Sequence, residues 1–332
     1  MPDKSKQLST VHTRRTVLGT GWRAAAIAGL SGTLGRAARM AEDGVLVCLH
    51  LTGGNDGNNM IVPLEGAQYS AYSALRGPLA IPSGDLLAVQ AVRNPGQFGF
   101  HPALTEVRDL YNQGALAIVA NTGSEQKPAA GHEYGGMTFL PGGHMVPSFG
   151  APKSGAGFST ARYGVVITAL DGGTADIGSH EALSGFPDNA FGRSLAQIAA
   201  LVPHTSGRQL MLTTAVHGFD THVNQLNRQA ALFGELSPAL AAFQRSLSES
   251  GHANRVTLFT ESEFGRSLLA NKTGGSEDGW GNHQIVMGAA ALHGQFTGGD
   301  IHGSFPDLTS VPRDGRLVPS MTRVEYSEAL TA

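Results

Sequence analysis

The chain has 332 residues, 41% hydrophobic and only 15% charged, which is apolar material enough for a large core in one domain or two. Its 45 glycines follow no Gly-X-Y period, which excludes collagen, and its single cysteine, Cys48, excludes an intrachain disulfide or a cysteine-rich zinc site. The net charge of −3 is uneven: residues 1–40 hold seven basic residues against one acid, so the remainder carries −9 and has little global attraction for nucleic acid.

The start of the chain reads as an address. Thr13-Arg14-Arg15-Thr16-Val17-Leu18 is a twin-arginine pattern, and Ala24-Ala25-Ala26-Ile27-Ala28-Gly29-Leu30 supplies an apolar middle. Residues 1–41 are therefore expected to be an export signal, read by the twin-arginine translocase, and the product is expected to be periplasmic or secreted. Arg23, Arg36 and Arg39 depart from the usual pattern, and a basic tail is the plainer reading. No run of eighteen apolar residues occurs, so no membrane span is expected.

From residue 42 onward the pattern alternates. Val45–Leu51 is a continuous apolar run, read as a buried parallel strand with Cys48 inside it. A helix is predicted over 103–112 and strands over 115–120 and 163–170. A helix follows over 191–201, then a strand over 209–216. Leu226, Phe233, Leu240 and Leu247 mark one face of a long helix that Pro238 is expected to kink or break. Residues 256–260 form a further strand. Residues 123–160 and 268–304 read as long loops. The whole of 42–332 is expected to be one doubly wound α/β domain, with a mostly parallel sheet and helices on both faces.

In such sheets ligands sit beyond the carboxyl ends of the strands. Charged and imidazole groups fall at four such places: Asn55-Asp56, Asp220-Thr221-His222, Glu261-Ser262-Glu263 with Arg266, and Glu277-Asp278 with Asn282-His283. Carboxylates and imidazoles on one rim are the donors a Zn, Mn, Mg or Ca ion takes. The candidate metal ligands are Asp56, Asp220, His222, Asp278 and His283, for one or two divalent ions. Each has a plain alternative: a turn residue, a helix cap, a local Glu263–Arg266 ion pair or a loop histidine.

These segments resemble one bacterial family. They are Leu49-His50-Leu51-Thr52-Gly53-Gly54-Asn55-Asp56-Gly57, Gly99-Phe100-His101-Pro102, Gly218-Phe219-Asp220-Thr221-His222, Ser262-Glu263-Phe264-Gly265-Arg266, Gly279-Trp280-Gly281-Asn282-His283 and Arg316-Leu317-Val318-Pro319. In order and kind they are similar to the domain of unknown function 1501 family, which is assigned to the alkaline phosphatase and sulfatase superfamily. That resemblance implies an alkaline phosphatase-like sheet and metal-assisted hydrolysis of phosphate or sulfate esters by a Ser, Thr or modified nucleophile. It implies Asp56 as a first-strand ligand, with Asp220 and His222 as a second pair.

Three departures stand out. Glu277-Asp278 replaces the family's Asp-His. Gly131-His132 replaces its Ser-His, leaving Thr122 and Ser124 as nucleophile candidates. Relatives also continue beyond Tyr326–Ala332, so a shortened C-terminus is expected.

Two function classes follow. One is an exported metal-dependent hydrolase acting on a small anionic ester, with Arg266 steadying the anionic group. The other is a non-catalytic metal-binding or assembly protein on the same fold, with an exported protein as its partner.

Overall fold

In the computed structural model of the chain, the apolar run at Val45–Thr52 is the central strand of a nine-stranded sheet. The structure describes residues 43–124, 165–170, 177–178 and 180–331, and the backbone of three short strands within 137–160. The expected export signal and most of the first expected loop lie outside these residues.

In chain order the elements are β1 (Val45–Thr52), α1 (Gly57–Met60), β2 (Ile61–Pro63), α2 (Gly66–Arg76), β3 (Leu87–Ala91), β4 (Gly96–Phe100), α3 (Thr105–Asn112) and β5 (Leu116–Gly123). Next come β6 (Met137–Leu140), β7 (His144–Pro147), β8 (Phe158–Thr160), β9 (Val166–Ala169), α4 (Ala190–Leu201), β10 (Leu210–His217) and α5 (Gln225–Glu249). The chain continues through β11 (Val256–Glu261), β12 (Arg266–Ala270), β13 (Ser276–Asp278), β14 (Asn282–Gly288), α6 (Ala289–Leu292), β15 (Ile301–His302), β16 (Met321–Thr322) and α7 (Arg323–Thr331).

The sheet order is β15-β5-β14-β11-β1-β10-β9-β8, with β16 also on β5. β1 pairs in parallel with both β10 and β11, which is why all three read as unbroken apolar runs: helices cover both of their faces. β14 and β9 run against the other strands of the sheet. The fold is thus mixed α/β with a largely parallel centre, rather than parallel throughout.

Alternation along β1 sorts the core into two layers. Val45, Val47, Leu49 and Leu51 join Leu195 of α4 and Phe233, Leu240 and Phe243 of α5 in one cluster. Cys48 pairs with Phe259, whose ring meets that of Tyr326 of α7 at 6.1 Å, so α7 covers the opposite face. α5 runs unbroken through Pro238, so the break that Pro238 could have made does not occur. The buried face from Phe233 to Leu247 holds the helix where an isolated one would break. Among the described residues, no helix is long and apolar enough to cross a membrane.

The stretch 268–304 is not the loop its glycines suggest. It holds β13, β14 and most of β12, and β14 is inserted between β5 and β11 at the heart of the sheet. Its polar start, Asn282-His283-Gln284, hides the strand. Burial is possible there because the polar groups are bonded: Gln284 accepts from Thr260 Oγ1 at 3.0 Å and donates to Thr122 Oγ1 at 3.3 Å.

Candidate functional site

Because β14 opposes β5 and β11, its N-terminus lies at the same rim as the carboxyl ends of β1, β5, β10 and β11. The turn after β10 delivers Asp220 and His222 to that rim. The β12–β13 hairpin pairs Arg266 with Asp278 and brings this second carboxylate to the same place. His222 Nε2 lies 3.1 Å from Asp220 Oδ1 and 3.4 Å from Asp278 Oδ1. Its other nitrogen, Nδ1, faces Glu277 Oε2 at 3.4 Å. Asp220, His222 and Asp278 each present a donor atom within 4.8 Å of the others, a donor set suited to a divalent cation. Asp220 is half exposed, so the group opens to solvent.

Arg266 underlies this group. Its guanidinium is buried and donates to Asp220 Oδ1 at 2.7 Å, with Asp278 Oδ1 at 3.3 Å. It also donates to four backbone carbonyls: Gly53, Gly54, Phe219 and Ser276. All three of its nitrogens are engaged inside the chain. These contacts give Arg266 a structural role, beside the one expected of it, steadying a substrate anion. Glu263 is not its partner.

Asp56 does not join the group. Its carboxylate forms a fully buried ion pair with Arg76 and accepts from Gln225, whose own oxygen accepts from Ser276 Oγ at 2.6 Å. Gln229 Nε2 bonds the Asp56 carbonyl at 2.7 Å. The sequence offers no signal for Arg76 or Gln225, because neither lies in a motif.

His283 is likewise apart. It is buried, its ring stacks on Phe305 at 4.7 Å, and Nδ1 accepts from the Asn121 N–H at 3.0 Å. Burial drives its pKa down to about 3, so the ring is neutral. Of the five expected ligands, the structure brings together Asp220, His222 and Asp278, and not Asp56 or His283. Thr122 is buried against Gln284, and Ser124 lends its carbonyl to Trp280 Nε1 at 2.9 Å.

A second polar layer lies beneath the rim. Glu263 Oε2 accepts from the N–H groups of Gly53 and Gly54 at 2.9 and 3.3 Å, and Oε1 faces His50 Nε2 at 3.2 Å. Burial raises the Glu263 pKa, but His50 and the Gly53 N–H outweigh it and the net direction is down. Glu261 is pushed up, by burial first, with Arg323 at 3.5 Å and His50 opposing. It borders a small cavity shared with Thr122, Asn282, Gln284, Arg323 and Tyr326. Cys48 is also pushed up, by burial and then by Glu261, which makes it an inert core thiol.

The fold and site define a mixed α/β protein with a carboxylate–imidazole group at the strand ends. A family model described as a protein of unknown function (DUF1501) matches residues 198–320, and this match supports the family resemblance. The matched span includes Asp220, His222, Arg266, Asp278 and His283, and leaves out Asp56. No curated protein matches the chain.

Proposed function

We propose that this chain binds a divalent cation through Asp220, His222 and Asp278 and hydrolyses phosphate or sulfate esters at that site. The observation that carries the reading is the pair of separations at His222 Nε2, 3.1 and 3.4 Å to two carboxylate oxygens. Ligands sharing one tetrahedral ion at about 2.0–2.2 Å stand roughly 3.3–3.6 Å apart, so the three donors need little movement. Glu277 at His222 Nδ1 supports it as well, since metal-bound histidines commonly donate their other N–H to a carboxylate. Asp278 Oδ1 is buried with Arg266 Nη1 and His222 Nε2 at 3.3 and 3.4 Å, neither aligned as a hydrogen bond, so it has coordination to offer.

When bound, the cation neutralises charge on the ester oxygens. The chain's residues do the rest. Glu277 orients the imidazole, Arg266 fixes the spacing of the two carboxylates, and half-exposed Asp220 keeps the rim open to an anionic ester. Neither Thr122 nor Ser124 belongs to the cluster. The reading extends to an alkaline phosphatase-like scaffold, export by the twin-arginine route and a periplasmic or secreted location.

A second reading is a non-catalytic metal-binding or assembly protein acting with an exported protein partner, and one observation favours its assembly form: the Arg266 guanidinium sits on both carboxylates and balances their charge without a cation. Elemental analysis of the purified protein and of Asp220→Ala/His222→Ala, followed by assay on aryl phosphate and aryl sulfate, decides between them. One equivalent of metal lost in the variant, with turnover lost alongside it, supports the hydrolase. Bound metal without turnover supports the second reading. A folded protein without metal ends the hydrolase and leaves the assembly protein, to be tested by co-purification of an exported partner.

A further inference from the structure

We infer that Glu263 is a positioning residue for the rim, holding the Gly53-Gly54 turn in the orientation that lets Arg266 fix Asp220 and Asp278. The inference rests on the cation-site reading above for its functional consequence, but its geometry is independent of any ion. β1 ends at Thr52, so the next two N–H groups have no strand partner. Both glycines adopt positive φ, +111° and +82°, and turn their N–H groups toward one point. Successive backbone N–H groups of this kind form an anion-binding nest. Here the nest is filled by Glu263 Oε2.

The carbonyls of the same two residues face Arg266, which takes Gly54 O at 2.9 Å through Nε and Gly53 O through Nη2. Nη2 is also the nitrogen on Asp220 Oδ1. One dipeptide is thus clamped between a carboxylate on its N–H side and a guanidinium on its carbonyl side. His50, from inside β1, lies against the other carboxylate oxygen at 3.2 Å. Ser262 ties down the adjoining backbone: its Oγ accepts from Asn55 N at 2.8 Å and donates to Leu51 O at 2.6 Å. Removing the Glu263 carboxylate leaves the two N–H groups unpaired and frees the dipeptide to rotate. The guanidinium then loses its aim at the carboxylates.

The test compares Glu263→Ala, Glu263→Gln and Leu240→Ala in the full chain. Leu240 is a fully buried α5 residue and supplies a control for loss of stability alone. Mn2+ affinity is measured by titration calorimetry, and backbone amide resonances of Gly54 and His222 are followed in metal-free protein. Glu263→Ala is expected to weaken Mn2+ binding about tenfold, the lower end of what loss of an orienting partner costs a metal site. It is also expected to shift both resonances. Glu263→Gln, whose amide oxygen still accepts the two N–H groups, restores most of the affinity, and Leu240→Ala leaves affinity and both resonances unchanged. A Glu263→Ala chain with wild-type affinity and an unmoved His222 resonance overturns the inference, as does an equal loss of affinity in Leu240→Ala. A wild-type chain that binds no Mn2+, but whose His222 amide moves with Glu263→Ala, ends the cation reading and keeps this one.

Discussion

Arg266 and Asp220 are joined at 2.7 Å across 46 residues of sequence, with the guanidinium buried and the carboxylate half exposed. The bond links the floor of the site to its open side. Lysine cannot substitute, because it has three donors on one nitrogen and Arg266 serves four carbonyls and two carboxylates in a fixed fork. Arg266→Lys is expected to lower unfolding free energy by about 3 kcal/mol, the scale of breaking a buried ionic network. Urea denaturation followed by circular dichroism reads this, and an unchanged midpoint would show that the network is dispensable.

Asp56 and Arg76 form a separate ion pair with both side chains fully buried. Removing one partner strands the other charge in the core, so Asp56→Ala is expected to cost about 3–5 kcal/mol. Because Asp56 lies outside the Asp220–His222–Asp278 group, the surviving folded protein is expected to keep the wild-type metal stoichiometry. Loss of the ion at wild-type stability would restore Asp56 as a ligand.

These two aspartates show where the sequence stops being legible. The central strands were readable because burial on both faces writes an unbroken apolar run, as in Val45–Thr52 and Val256–Glu261. Asp220 and His222 were readable because they follow such a run directly. Asp56 has the same local signature, yet its chemistry is set by Arg76 and Gln225, and Gln225 lies 169 residues away. Glu263 and Arg266 look like a local pair in one dimension, but each finds its partners elsewhere in the fold. β14 was hidden for a related reason: its buried Gln284 is matched by Thr122 and Thr260 on its two neighbouring strands, and no single-strand pattern records that.

Acid sensitivity follows from two buried imidazoles. Burial lowers the pKa of His283 to about 3 and that of His101 to about 4, against 6.5 when exposed. Between the folded values and 6.5 the unfolded chain binds protons that the folded chain refuses, so stability rises with pH through this window and falls on acidification. From pH 7 to pH 5 each histidine is expected to remove about 2 kcal/mol. Urea midpoints at the two values check the direction, and His283→Asn is expected to flatten the dependence. A midpoint that does not move between pH 7 and pH 5 would contradict the burial of both rings as neutral species.

Gly53 offers a way to disturb the rim with little effect on the core. A Cβ there would stand 2.4 Å from the Asp220 backbone nitrogen, and the φ of +111° is one that residues with side chains rarely adopt. Gly53→Ala must therefore push the β10 turn outward, carrying Asp220 away from Asp278 on the β12–β13 hairpin. The strain at one loop position is expected to cost about 1–3 kcal/mol of stability, since the turn lies outside the packed strands. The loss of cation affinity is expected to exceed that, because a displaced Asp220 removes one of three donors. Parallel measurement of the urea midpoint and Mn2+ affinity separates the two effects. Equal losses would mean that the turn and the core unfold together, and an unaltered affinity would mean that Asp220 is not a ligand.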